Sequence, residues 1–188
     1  PIFEPQAIAL TLKILITLAL LNQSLKTGSN VTILLNALSQ QASPALVGAL
    51  TAVTGIFPML LAVSIGRLND RWGARAPMLL GSIVVILATL LPVVVPGIAA
   101  LFVTATLTSL GAMAFSVSVQ STVGHLGHLG QHDDRARNFS WLSMAFSFGG
   151  IVGPMVAGVI IDYAGHETTF MVLAFLPLFA VVAVGSGR

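Results

Sequence analysis

Charge is what this sequence has least of. Only 7% of its 188 residues are Asp, Glu, Lys or Arg, against 56% that are hydrophobic. A soluble globular domain carries roughly 25% charged residues, so this chain cannot clothe a folded core in wettable surface. A mean hydropathy of +0.97 agrees: the solvent for most of the chain is lipid. Cysteine is absent, which excludes disulfides and thiolate metal sites. The net charge of +2 rests on eight basic residues scattered along an apolar chain, which is no nucleic-acid footprint. Catalytic signatures are missing as well. The sequence has no Gly-x-Ser-x-Gly elbow, no His-Glu-x-x-His, no phosphate loop and no paired intramembrane aspartates. Nothing here points to an enzyme, a cofactor or a metal.

What the chain does have is long apolar runs. A membrane helix needs about 20 mostly apolar residues to cross a hydrocarbon core of about 30 Å. Six windows meet that length, at residues 13–38, 44–65, 77–95, 97–122, 139–163 and 169–185. Continuous apolarity rather than alternation excludes a closed barrel. A signal-peptide reading of residues 14–21 behind Lys13 fails, because no small-x-small cleavage site follows. The connections set an orientation. Arg67, Arg71 and Arg75 follow span two, Arg135 and Arg137 follow span four, and Arg188 follows span six. The other connections hold no lysine or arginine, only Asp162, His166 and Glu167 after span five. The positive-inside rule therefore places both ends of the chain in the cytoplasm. The segment 123–138 becomes a cytoplasmic loop between spans four and five, with Gly124, Gly127 and Gly130 keeping it non-helical. Its histidines, His125, His128 and His132, read as solvated rather than as metal ligands.

Four of the fourteen ionised side chains fall in ten positions, "GRLNDRWGAR" at 66–75. With Gly66, Leu68, Asp70, Arg71, Gly73 and Arg75 in register, this stretch resembles the loop motif of the major facilitator superfamily of transporters. Ala74 replaces one of the usual basic residues. A second match, "GGIVGPMVAG" in span five, resembles the motif of that family's drug–proton antiporters, through Gly149, Gly153, Pro154 and Gly158. The resemblance implies the N-terminal half of a twelve-span protein, built of two three-helix inverted repeats. It also implies that Asp70 acts as a gate residue on the cytoplasmic side, facing the other half, with Arg135 or Arg137 as a partner. Without the family, span five still reads as a packing helix. Ala145, Gly149, Gly153 and Ala157 recur every four residues, and small residues at that spacing let helices approach closely.

Span one is polar in its middle. In "LNQSLKTGSN", Asn22, Lys26 and Asn30 share a helix face, with Gln23 beside them. Lys26 is about 13 residues, roughly 20 Å, from either end of its window. An intramembrane lysine is a functional candidate by default, so these four residues form the expected substrate or coupling site. No acid stands at mid-depth in any span, and Leu107 occupies the place where cation exporters of the family carry an arginine. Span four offers hydroxyls instead, among them Thr104, Thr108, Ser109, Ser116 and Ser118, most of them expected to serve helix packing.

The expectation is an all-α membrane protein of six transmembrane helices in the inner cell membrane. It would carry a small organic solute by alternating access, as an exporter or antiporter, with a proton as the candidate coupling ion. The alternatives are uptake of an anionic metabolite through Lys26, or an oligomeric six-span channel or scaffold.

Overall fold

The computed structural model describes residues 5–129 and 132–186, and among them every regular element is an α-helix. In chain order these are α1 (Pro5–Ser39), α2 (Pro44–Trp72), α3 (Arg75–Val94), α4 (Ile98–Leu129) and α5 (His132–Ser186). Six spans are expected, and the fifth label covers two of them, since α5 is two helices meeting at a non-helical residue. The 55 residues of α5 would reach about 80 Å if straight, far more than one crossing needs. Gly165 breaks it, with φ 81° and ψ 175°. Leu142, before that break, and Ala180, after it, belong to one buried cluster, so the two arms run back along each other. The fifth and sixth expected spans are these arms, joined at a corner rather than by a loop.

Short polar connections turn the chain elsewhere. Gln41 takes a left-handed φ of 58° and the Ala42 N–H donates to the Ala37 carbonyl at 3.0 Å, which closes α1. Ser43 then caps α2, its hydroxyl accepting from the Leu46 N–H at 3.3 Å, with Pro44 in the first helical position. Gly73, at φ 75°, ends α2.

Two boundaries differ from expectation. Helix α2 runs on to Trp72, so most of the 66–75 motif is helical rather than a loop. The segment 123–138 is also largely helical, with α4 continuing to Leu129 and α5 beginning at His132. Gly127 explains the second case. A Cβ there would lie 3.0 Å from Cβ and Cγ of Arg135, so this glycine permits a close helix crossing instead of loosening the chain. The side chains of His128 and His132 lie outside the described residues.

The core is divided along the bundle axis. One apolar cluster, around Leu15, Met78, Phe115, Val119 and Leu142, lies toward the end that carries the arginines. The other, around Ile33, Leu50, Leu101 and Phe170, lies toward the opposite end. Between them small residues bring backbones together. A Cβ on either Gly81 or Gly111 would come within 2.6 Å of the other's carbonyl oxygen, and Thr104 ties α4 to α3 by donating to the Ala88 carbonyl at 2.9 Å. The outside is apolar: Met59 on α2 is 79% exposed and Met155 on α5 is 70% exposed. All five helices are long and apolar enough to cross a membrane. An α-helix satisfies its own backbone groups in hydrocarbon, and the chain is an integral membrane protein.

Candidate functional site

The middle of α1 sits between the two apolar clusters. Asn22 faces α4, its Nδ2 donating to the Ala112 carbonyl at 3.3 Å and to the Ser116 hydroxyl at 3.2 Å. Asn30, two turns on, lines a cavity of about 60 Å³ with Leu50, Thr51 and Thr54 of α2. Lys26 lies between them on the same four-residue line, which turns it toward the α2–α4 side of the bundle. It is half-buried and has no hydrogen-bond or ion-pair partner among the described residues. Gln23 is differently used. Its Cβ lies 2.9 Å from where a Cβ on Gly149 would stand, so its stem forms part of the α1–α5 contact. The structure therefore brings Asn22, Lys26 and Asn30 to one side and places Gln23 at a helix seam.

That seam is the tightest feature of the bundle. A Cβ on Gly149 would stand 2.7 Å from the Leu20 carbonyl oxygen, and one on Gly153 would collide with the Ser24 carbonyl and the Thr27 hydroxyl. From the other side, a Cβ on Gly28 would lie 3.0 Å from the Gly153 carbonyl oxygen. Thr27 stitches the helices by donating to the Gly149 carbonyl at 3.1 Å. Pro154 and Gly158 lie on the adjoining ladder. Neither Gly150 nor Gly158 would bring a Cβ within 4 Å of anything, so this ladder faces away from the bundle. Of the four motif residues, two build the seam and two border an open face.

In the 66–75 motif, Asp70, Arg71 and Arg75 are exposed and Gly66 is half-buried. Asp70 has no ion-pair partner among the described residues, so the expected pairing with Arg135 or Arg137 is not formed within this chain. The reason is placement: Asp70 is in the last turn of α2, pointing off the bundle, while both arginines belong to the start of α5. Gly73 is needed for its positive φ.

Sequence reasoning passed over Asn69, which is only 6% exposed and whose Oδ1 is buried without a partner. Its neighbours Asp70 and Arg71 drew the eye, and only helical phase, with α2 extended past residue 65, would have turned Asn69 inward. Buried hydroxyls on Ser24, Ser29, Thr108 and Ser109 likewise lack hydrogen bonds. They lie sealed between the helices. Three other hydroxyls of α4 bond to their own helix: Thr106 to Phe102, Ser118 to Ala114 and Thr122 to Ser118.

A half-buried face with a cation and two amides can hold a polar solute at mid-depth, and a glycine seam can let one helix slide on another. Comparison with known proteins bears on what such a bundle is. The family model for the Major Facilitator Superfamily matches residues 14–186. The chain is 29% identical over 136 residues to the chromaffin granule amine transporter of Rattus norvegicus, covering 70% of this chain and 25% of that protein. It is 28% identical over 133 residues to the vesicular acetylcholine transporter of Homo sapiens, covering 71% of this chain and 25% of that protein. The chain thus spans about a quarter of the length of the curated relatives it matches. With the family match running from α1 into the second arm of α5, the chain belongs to the Major Facilitator Superfamily.

Proposed function

We propose that this chain is the N-terminal six-helix half of a secondary transporter that moves a small organic solute by alternating access, as an exporter or antiporter. Lys26 is the observation that carries the reading. An unpaired ammonium at mid-depth costs about 2.5–3.5 kcal/mol on insertion scales, a cost that packing does not explain. It is reasonable only where the group meets solute or water in a cavity. Substrate sites of such proteins lie near the midplane, between repeats, and Asn22, Lys26 and Asn30 would form one wall of it. Asp70 and the arginines around it would serve as a gate whose partner is the other half. The arginine-bearing end would face the cytoplasm of a cell whose inner membrane holds the protein, by the positive-inside rule.

The charge of the solute divides two readings. The relatives are named for amines and acetylcholine, which favours a cationic solute whose counter-charge lies in the other half. Lys26, with no acid at mid-depth in this chain, favours uptake of an anionic metabolite. Proteoliposome flux of the full-length protein under an imposed pH gradient separates them. Saturable flux with counterflow is expected, and Lys26→Ala should change affinity or coupling at least about tenfold, a loss of about 1.4 kcal/mol. Unchanged affinity and coupling in Lys26→Ala would remove Lys26 from the site. Non-saturating flux without counterflow would replace the transporter with a channel.

A further inference from the structure

A groove of about 300 Å³ runs along the bundle between α1 and the second arm of α5. Lys13, Ile14, Thr17, Leu18 and Leu21 line it from α1, and Phe179 and Ala183 from α5. At about 100° per residue, this face of α1 lies roughly 150° round the helix from the line of Asn22, Lys26 and Asn30. The groove therefore looks out of the bundle, away from the proposed solute wall. It is also open: Phe179 is 64% exposed and Ile14 42% exposed.

One end of the groove is at headgroup depth. Leu12 and Leu15, on either side of Lys13, pack into the same apolar cluster as Phe139 and Leu142. Between those two stands Trp141, 52% exposed, and tryptophans gather at the membrane–water interface. Lys13 is exposed at this level, on the end of the bundle that carries the arginines. Its ammonium has no hydrogen-bond or ion-pair partner among the described residues, and no acid lines the groove. The Thr17 hydroxyl donates to the Lys13 carbonyl at 2.9 Å, so the ammonium is the donor left in the lining. From Lys13 to Leu21 the groove follows α1 for about 12 Å, most of the roughly 15 Å from headgroup to bilayer midplane.

We propose that this groove holds one anionic phospholipid from the leaflet at the arginine-bearing end. Its phosphate pairs with Lys13, and one acyl chain lies against Ile14, Leu21 and Phe179. The chain by itself confers no preference, because every lipid offers the same apolar partner. The charge selects: one lysine at the membrane surface favours an anionic headgroup about fivefold. The cytoplasmic leaflet is the anionic one, in keeping with the positive-inside orientation. The site concerns lipid binding alone, so it stands or falls apart from the transport reading.

Quenching by brominated lipids reads this groove locally. In full-length protein reconstituted into phosphatidylcholine vesicles, the fluorescence difference between Phe179→Trp and the parent isolates a tryptophan in the groove. Dibrominated phosphatidylglycerol should occupy the site about fivefold more strongly than dibrominated phosphatidylcholine with the same chains. Adding Lys13→Gln, at an exposed position, should bring that ratio to about one. Arg67→Gln removes a cation from the same end of the bundle but from α2, outside the groove, and should leave the ratio unchanged. The proposal is overturned if the two lipids quench the Phe179→Trp protein equally, or if the preference survives Lys13→Gln. It is also overturned if Arg67→Gln abolishes the preference as fully as Lys13→Gln does, since a diffuse surface charge would then select the lipid.

Discussion

Lys26 poses the sharpest question at the scale of single residues, because it is half-buried and unpaired where an aliphatic side chain would pack. Removing its charge relieves a desolvation cost of up to about 3 kcal/mol. Lys26→Met should therefore raise the melting temperature of the detergent-purified protein by a few degrees, at about 2–4 °C per kcal/mol for a chain of this size. Transport should fall in the same variant. A lower melting temperature would show that the ammonium has a structural partner. Asn22 behaves differently. Its bonds to α4 are membrane hydrogen bonds worth about 0.6 kcal/mol each, so Asn22→Ala should lower stability only modestly. The polarity of this stretch was legible from residues 22–30 alone. Which residues face α4 and which faces a seam was not, since Gln23 and Asn22 are neighbours in sequence and a fraction of a helical turn apart in space.

At the scale of elements, the α1–α5 seam and the open ladder beside it make opposite predictions for the same substitution. Gly153→Ala places a methyl on the Ser24 carbonyl, a backbone atom that cannot move aside, and overpacking of this kind costs typically about 1–3 kcal/mol. Gly158→Ala meets nothing, and alanine favours the helix by roughly 0.5–1 kcal/mol over glycine. Thermal unfolding monitored by tryptophan fluorescence should show Gly153→Ala clearly destabilised and Gly158→Ala equal to the parent or better. If Gly158→Ala lost transport while keeping stability, the open ladder would be a contact with the other half. Periodicity alone put both ladders on the page. It could not say which one packs inward, because that depends on where α1 lies. The glycines of 123–138 mislead for a related reason: glycine marks both flexible turns and close crossings, and only the neighbouring Arg135 distinguishes them.

For the whole molecule, the absence of cysteine from these 188 residues lets single introduced thiols map orientation. Single variants Gln41→Cys and Arg71→Cys sit at exposed positions on opposite ends. In intact cells an impermeant maleimide should label the first, and reach the second only after permeabilisation. The reverse pattern would invert the proposed orientation and the gate with it. The sequence by itself determined that this is a helical membrane protein with its arginines gathered at alternate connections, because hydrophobic length and loop charge act through the bilayer and need no tertiary contacts. Only the tertiary structure decided that spans five and six meet directly at Gly165, and that Gly28, Gly149 and Gly153 form a single seam. It alone set the polar middle between two apolar clusters, and Lys13 and Phe179 along one groove. Apart from the Gly165 corner, these features arise where residues more than a hundred positions apart meet. Within lipid, shape complementarity rather than hydrophobicity selects those meetings.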